Sequence, residues 1–320
     1  MMKAAVYDAA GAPQVLRYAD IPDPAIGPDD VLIAVEAISI EGGDLINRRL
    51  ITPPQPSWVV GYAAAGTVVA IGSNVTSRRA GDRVAAFDLK GSYAERWAVP
   101  VGRTWRIPDG VDAASAAVLP ISFGTAHHCL FARGALVSGE SVLIQAAAGG
   151  VGLAAVQLAA QAGATVIAVT SGTQRSCRLL ELGANHVVDR TAHDVVGAVR
   201  QMTHGLGAKL VVDPVGTTLQ DSLAALAPEG RLVFVGNAGG GNLTVDLWPA
   251  MQANQTLSGV FMGPLFERPA VRSSVDALLQ AVADGRIRAI IDRTFPLSEA
   301  AAAHAYAETA KPLGRIVMIP

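Results

Sequence analysis

The sequence contains little cysteine, little excess charge and no long uninterrupted apolar run. Of its 320 residues two are cysteines, Cys129 and Cys177, which excludes a disulfide framework and a four-cysteine zinc site. The formal net charge of −2 disfavours a dedicated nucleic-acid binder, because such a protein needs a basic face. The longest apolar run, around 154–169, is interrupted by polar and glycine residues and is too short to cross a bilayer.

The composition is that of a folded globular protein, with 51% apolar and 16% charged residues. The opening stretch MMKAAVYDAAGAP lacks an apolar core followed by a cleavage site, so no secretory signal is expected. We therefore expect a cytoplasmic protein, with neither a membrane nor a nucleic acid among its partners.

The pattern of apolar residues changes once along the chain. The first ~120 residues read as short strands separated by turns; in DDVLIAVEAISI, for example, Val31, Ile33 and Val35 alternate on one face. After Pro120, apolar runs alternate with helical segments, which predicts a parallel sheet covered on both faces. We expect an α/β fold with a doubly wound domain over 122–260, and a tail over 261–320 that returns to the first domain.

A glycine-rich stretch separates the strand SVLIQA from the helix VGLAAVQLAAQ. It matches the GxGxxG pattern, with alanine at the first position. Gly149 would let a pyrophosphate approach the backbone, Gly152 would let the helix pack on the sheet, and the helix N-terminus would bind the phosphates. The alternative is a tight strand–helix joint without a ligand.

The next strand, TVIAV, predicts which dinucleotide binds. An NAD-binding fold usually carries an acid there for the ribose 2′-hydroxyl, but this strand ends in Thr170-Ser171-Gly172. Without a repelling carboxylate, a 2′-phosphate could be bound by Arg175, with Arg190 over the adenine. We predict NADPH over NADH; the alternative for Arg175 is an exposed helix arginine.

The chain resembles the medium-chain dehydrogenase/reductase superfamily, specifically its zinc-independent quinone oxidoreductase (zeta-crystallin-like) family. The resemblance rests on motifs along nearly the whole chain: GYAAAGTVVAIG (61–72), GDRV (81–84), GTAHHCL (124–130), AAAGGVG (146–152), LGANHVVD (182–189), VVDPVG (211–216), GRLVFVGN (230–237) and the closing GRIVMIP. It implies a GroES-like catalytic domain over 1–121, completed by 261–320, a Rossmann NADP-binding domain over 122–260, and a homodimer.

We expect the cofactor-binding residues to lie at strand ends of the Rossmann domain, with Asn237 and Gly216 near the nicotinamide. The complete expected set is Thr125, Ala148, Gly149, Gly150, Val151, Gly152, Ser171, Gly172, Arg175, Arg190, Val215, Gly216, Gly236 and Asn237.

The zinc-ligand positions of the superfamily carry few donors in this chain. Glu41 stands where zinc-dependent members have cysteine, Gly61-Tyr62-Ala63 replaces their Gly-His-Glu, and the third ligand position falls near Ile121. A catalytic zinc needs three protein ligands, so we expect no metal. Hydride transfer to a quinone or to an α,β-unsaturated carbonyl stays accessible, because such acceptors delocalise the incoming charge themselves.

The candidate catalytic residues are Glu41, Tyr62, Asp44 and Arg48. The family typically has asparagine in place of Glu41 and tyrosine in place of Ile46, whereas Asp44 and Arg48 fit its pattern. Glu41 could donate a proton, orient the acceptor, or be a solvated loop acid without a role. Tyr62 is a second candidate proton donor, or else it packs in the wall of the site.

Two other functions stay open. The first is reduction of a ketone, aldehyde or enoyl thioester on the same fold, although no basic cluster for a coenzyme A moiety is evident. The second is a non-catalytic NADPH-binding protein, acting as a redox sensor, structural protein or RNA binder.

Overall fold

The computed structural model describes residues 1–320 apart from the side chain of Thr173. The strands, numbered in chain order, are β1 (Met2–Tyr7), β2 (Arg17–Ile21), β3 (Asp30–Ser39), β4 (Trp58–Val59), β5 (Ala63–Ile71), β6 (Arg83–Phe87), β7 (Arg96–Pro100), β8 (Thr104–Arg106), β9 (Ser141–Ile144), β10 (Thr165–Thr170), β11 (His186–Asp189), β12 (Ala208–Asp213), β13 (Leu226–Phe234), β14 (Thr256–Gly259), β15 (Ile291–Pro296) and β16 (Arg315–Ile319). The helices are α1 (Gly42–Leu50), α2 (Ala113–Val118), α3 (Gly124–His127), α4 (Gly150–Gln161), α5 (Ser176–Glu181), α6 (Val195–Met202), α7 (Leu219–Ala224), α8 (Trp248–Gln252), α9 (Pro269–Ala283) and α10 (Ala300–Thr309). The predicted α/β class is confirmed.

Contacts within the chain divide it into two compact units. Unit 1 comprises Met1–Gly124 with Gly263–Pro320, and unit 2 comprises Thr125–Met262. The domain limits expected from the sequence, with junctions at 121/122 and 260/261, stay a prediction.

Unit 1 is built on a mixed sheet in the order β15-β16-β3-β5-β6-β8, with β7 also paired to β3. The alternation predicted for β3 is confirmed, because Val31, Ile33 and Val35 are all buried while the residues between them are partly exposed. The closing strand β16 pairs antiparallel with β3, so the C-terminal segment belongs to this sheet. A smaller sheet, in the order β2-β1-β4, lies in the same unit.

Unit 2 contains a parallel sheet in the order β11-β10-β9-β12-β13-β14. Its central strand β9 is buried almost throughout, as expected for a sheet covered on both faces. Each fully buried side chain of the Val, Leu or Ile type contributes about 1.5–3 kcal/mol to stability. Strand order reverses between β9 and β12, and such folds bind ligands beside the carboxyl ends at this reversal.

The sequence prediction missed several elements of the fold. α10 has the sequence AAAAHAYAET, whose small apolar residues give no contrast between faces and therefore no helical period. α7 ends at Ala224, because Leu226 begins β13 and pairs with Ala208 of β12. Throughout the described chain, no helix combines the length and apolarity that a bilayer span requires.

Candidate active site

The glycine turn of unit 2 joins the buried strand β9 to the twelve-residue helix α4. Gly149 is the N-cap residue of α4, with extended backbone (φ −80°, ψ 172°) and no side chain to cap the helix. The N–H groups of the first helical turn have no intrahelical acceptors, and the helix dipole makes this end attractive to anions. The turn thus has the features of a phosphate-binding helix N-terminus.

The two expected uses of glycine fall on different residues of this turn. A Cβ added at Gly152 would come within 2.4 Å of the Ala146 carbonyl oxygen, so α4 packs too closely on the turn for any side chain. A Cβ at Gly149 would meet its nearest protein atom, the same oxygen, at 3.4 Å. Tight packing accounts for Gly152, whereas Gly149 leaves the backbone open to a ligand.

Further along the carboxyl edge, the residues after β12 and β13 lie side by side. Asp213 accepts hydrogen bonds from the N–H groups of Val215 (2.8 Å) and Gly216 (3.1 Å), which fixes the loop after β12. Gly216 has φ +84°, and a Cβ there would lie 2.7 Å from Asn237 Oδ1. Gly236, with φ +93°, precedes Asn237 at the end of the next strand.

The amide of Asn237 is fixed on one side and unsatisfied on the other. Its Nδ2 donates to the Gly241 carbonyl oxygen at 2.8 Å. Its Oδ1 is buried and has no hydrogen-bond partner among the described residues. Buried acceptors are normally paired, so this oxygen fits a ligand that brings an N–H donor, such as the carboxamide of a nicotinamide.

Two arginines flank the end of β10, where a 2′-phosphate is expected. Arg175 Nη1 donates to the Ser171 carbonyl oxygen at 3.1 Å, and Arg190 Nε donates to Ser171 Oγ at 2.8 Å.

Sequence reasoning missed Asp189, the last residue of β11, which accepts the Gly172 N–H at 2.9 Å. Hydrogen bonds from Thr191 and Gly172 lower the pKa of Asp189 to about 2, so this carboxylate supports the loop. Four expected residues of this set remain: Thr125 on α3, Ala148 before the turn and Gly150 at the start of α4 are buried, and Val151 is partly exposed.

In unit 1, Glu41 precedes α1 and is only 2% exposed. It accepts a hydrogen bond from Ser39 Oγ (2.7 Å), and its carboxylate lies 2.5 Å from the guanidinium of Arg315. Burial raises the pKa of Glu41, and the Arg315 charge and the Ser39 hydroxyl oppose this rise. The hypothesis of a solvated loop acid is therefore wrong, and the sequence had given no sign of Arg315 as a partner.

Asp44 and Arg48 anchor α1 from within. Asp44 Oδ2 accepts hydrogen bonds from the Glu41 N–H (2.8 Å) and from the Tyr93 hydroxyl (3.1 Å). Burial raises the pKa of Asp44 to about 8. The guanidinium of Arg48 donates to the Gly11 carbonyl oxygen and to the Glu308 carboxylate. Both side chains are fully buried, a placement that suits the positioning of α1.

Tyr62 differs from these residues because it is only half-buried. Its hydroxyl oxygen accepts a hydrogen bond from Asn47 Nδ2 at 2.6 Å, and its ring meets Phe87 edge to face at 6.4 Å. Burial and the nearby Asp44 raise the pKa of Tyr62 to about 12, with the Asn47 hydrogen bond opposing them. At neutral pH the phenol therefore keeps its proton.

The residues at the superfamily's zinc-ligand positions do not fit a zinc ion. The Glu41 carboxylate is paired with Arg315, Tyr62 replaces the histidine with a phenol that keeps its proton at neutral pH, and Ile121 has no donor atom. No group of three or more His, Cys, Asp or Glu side chains in the described part of the chain could hold a metal. The adjacent histidines are accounted for by packing: His127 lies against the Phe131 ring at 4.9 Å, and His128 is buried.

Comparison with known proteins agrees with these features. Residues 27–109 match the family model of the alcohol dehydrogenase GroES-like domain, and residues 150–284 match that of the zinc-binding dehydrogenases. The chain is 33% identical to a quinone oxidoreductase of Pseudomonas aeruginosa, and the match covers 100% of both proteins. It is 32% identical to a 2-haloacrylate reductase of a Burkholderia species, and this match covers 100% of the chain and 99% of that protein. It also matches the structure of mycobacterial Rv1454c complexed with NADPH, with a TM-score of 0.93, 33% identity and 100% coverage of both chains. The chain belongs to the quinone oxidoreductase family of the medium-chain dehydrogenase/reductase superfamily, a family of oxidoreductase enzymes.

Proposed function

We propose that the protein is a zinc-independent reductase that uses NADPH to reduce quinones or α,β-unsaturated carbonyl compounds. The observation that carries this proposal is the combination of an open glycine turn with zinc-ligand positions that do not supply the three ligands of a catalytic zinc. In this proposal the cofactor belongs to 122–260, and the acceptor contacts residues of the domain formed by 1–121 and 261–320.

The residues of unit 2 fit NADPH at three places. The backbone at Gly149–Gly152 would bind the pyrophosphate, and Arg175 and Arg190 would neutralise the 2′-phosphate beside Ser171. Asn237 Oδ1 would accept a hydrogen bond from the nicotinamide carboxamide. NADPH held by these residues would supply a hydride, which carries two electrons, and would itself become NADP⁺.

Reduction of the acceptor also needs a proton, and Tyr62 is the residue we assign to deliver it. When hydride adds to an enone or quinone, negative charge develops on the acceptor oxygen. The Tyr62 phenol donates a hydrogen bond to that oxygen and then its proton, giving the saturated carbonyl or the hydroquinone after proton exchange with water. Glu41 is bound to Arg315 and Ser39, so in this proposal it holds the start of α1 instead of donating.

A panel of acceptors tests the proposal. We expect NADPH oxidation, followed at 340 nm, with 1,4-benzoquinone and with a simple enone, and kcat/KM at least about a hundredfold lower with the matching saturated ketone. The reason is that an enzyme without a catalytic zinc, as proposed here, has no Lewis acid to polarise an isolated carbonyl. Faster turnover of the ketone, or stoichiometric zinc in the purified enzyme, would contradict the proposal.

Two glycine variants test the cofactor site separately. Gly149→Ala has compatible backbone angles and no close protein neighbour, so we expect a folded protein with NADPH affinity reduced at least about tenfold. Gly152→Ala is the matched control for packing, because its Cβ would collide with the turn and should lower the melting temperature. Unchanged NADPH affinity in folded Gly149→Ala would refute the proposal that the pyrophosphate binds at this turn.

We also propose a homodimer that forms through the edge of the unit 2 sheet. β14 is an edge strand, and Leu257 in it and Phe261 just after it are exposed, as are Trp248 and Met251 on α8. An exposed apolar edge strand invites pairing with another chain. We expect light scattering to give twice the chain mass for the wild type, and the single-chain mass for a Leu257→Lys/Phe261→Glu variant.

A further inference from the structure

The hydroxyl of Tyr62 is held by a residue that the family resemblance does not identify. Asn47, on α1, donates from Nδ2 to the Tyr62 hydroxyl oxygen at 2.6 Å. This is the one hydrogen bond of that hydroxyl within the described chain. Because a phenol has one proton and two acceptor positions, accepting from Asn47 leaves its O–H free to donate elsewhere.

The position of Asn47 is fixed by buried contacts that anchor its helix, α1. Its neighbours on α1 include Asp44, three residues earlier, and Arg48, the next residue, both fully buried. Asp44 is tied to the Glu41 N–H and to Tyr93, while Arg48 is tied to Gly11 and Glu308. Any rotation of α1 that moved the Asn47 amide would break these buried contacts.

A second contact sets the plane of the Tyr62 ring. A Cβ added at Gly43 would lie 2.3 Å from Cε2 of Tyr62, so the ring lies directly against the backbone of α1. Phe87 meets the ring edge to face, with an interplanar angle of 74°. Separate contacts therefore fix the Tyr62 ring and its hydroxyl. A side chain that only fills space would not need its hydroxyl to be oriented in this way.

We infer that Asn47 is a positioning residue for the reduction, which orients the Tyr62 hydroxyl so that its proton points to the oxygen of the acceptor. The inference rests on the proposed function. The amide N–H of Asn47 also stabilises the negative charge that Tyr62 carries once its proton has moved to the reduced acceptor. Water then returns a proton to Tyr62, so protons balance over one turnover, and the two electrons come from the hydride.

The experiment is a double-mutant cycle on turnover of a simple enone. We expect Tyr62→Phe to lower kcat about a hundredfold, and Asn47→Leu to lower it at least about tenfold without changing the Kd for NADPH. In the Tyr62→Phe background, Asn47→Leu should have no further effect, because Asn47 acts only through the lost hydroxyl. Asn47→Asp, which keeps the side-chain size, should also lower kcat because its carboxylate would accept a hydrogen bond from the phenol O–H and turn that proton away from the acceptor.

The control is Asn74→Leu, which removes another amide hydrogen bond of unit 1, from Asn74 Nδ2 to Asp29 at 3.0 Å, and should leave kcat unchanged. If Asn47→Leu lowers kcat equally in the wild-type and Tyr62→Phe backgrounds, its role is structural and the inference is overturned. If Tyr62→Phe retains full kcat, the inference is likewise overturned while the reductase activity stands. No turnover of quinones or enones by the wild type would instead overturn the proposed function.

Discussion

The buried ion pair between Glu41 and Arg315 gives a stability prediction whose size depends on pH. In Arg315→Met the Glu41 carboxyl would keep the Ser39 hydroxyl but lose its positive partner. The ordinary pKa of this carboxyl is 4.5, and burial raises it. Without Arg315 the carboxyl can take up a proton, which at pH 7 costs about 3 kcal/mol. The electrostatic cost of the substitution cannot exceed this value, because protonation removes the buried charge.

The same reasoning gives the direction of the pH dependence. A carboxyl whose pKa is raised in the folded state stabilises the fold only while it is protonated, so its contribution is lost as pH rises. At pH 5 protonation costs less than about 1 kcal/mol, so the electrostatic part of the loss nearly disappears. The hydrogen bonds of Arg315 to Ser122 Oγ (2.7 Å) and the Ile40 carbonyl (3.3 Å) are lost at every pH, adding about 2 kcal/mol.

Tryptophan fluorescence during urea unfolding measures the loss of stability in unit 1, where Glu41 and Arg315 lie. Three of the four tryptophans lie in unit 1, namely Trp58, Trp97 and Trp105. The fourth, Trp248, lies in unit 2. We expect Arg315→Met to lower the free energy of unfolding by up to about 5 kcal/mol at pH 7 and by about 2 to 3 kcal/mol at pH 5.

The matched control removes the charge that Arg315 neutralises. Arg315→Met/Glu41→Gln should regain about 3 kcal/mol at pH 7 relative to Arg315→Met, and should lose the difference between pH 5 and pH 7. An equal loss at both pH values, or no recovery in the double variant, would show that the Glu41 charge is not what Arg315 stabilises.

Three further predictions concern α1 and the cofactor site. Gly43→Ala should reduce kcat at least about tenfold by displacing the Tyr62 ring, whereas Gly42→Ala, whose Cβ would meet no atom within 4 Å, should not. Because burial raises the pKa of Asp44 to about 8, its protonated form stabilises the fold and that contribution is lost as pH rises. Asp44→Asn should therefore gain up to about 4 kcal/mol relative to the wild type between pH 5 and pH 8, measured by urea unfolding at each pH. Arg175→Ala should lower the ratio of kcat/KM with NADPH to that with NADH at least about tenfold, and an unchanged ratio would refute its contact with the 2′-phosphate.

Unit 2 could be predicted from the sequence because its signals are local. Buried strands of a parallel sheet read as continuous Val, Ile and Leu runs, and the glycine turn lies directly between such a strand and its helix. The backbone does most of the expected binding there, so residue order alone identifies it. What local order could not give is Asp189, which supports Gly172 across two neighbouring strands.

The candidate residues of unit 1 were identified by position, but what each of them does depends on residues far away in the sequence. Glu41 was compatible with a donor, an orienting acceptor or a solvated acid until its neighbours Ser39 and Arg315 were known. Tyr62 was compatible with packing or with proton donation, and the sequence had given no sign of Asn47 as the partner of its hydroxyl. No periodicity links these pairs, because they meet through tertiary packing.

These contacts also explain why an acid can stand at position 41. A carboxylate 2% exposed would be strongly unfavourable alone, and the Arg315 guanidinium beside it makes its burial tolerable. The guanidinium charge beside it disfavours a metal cation at the same carboxylate. In the proposed function the acid at 41 therefore serves the fold of α1, and the half-buried Tyr62 hydroxyl is the proton donor that we assign to the acceptor.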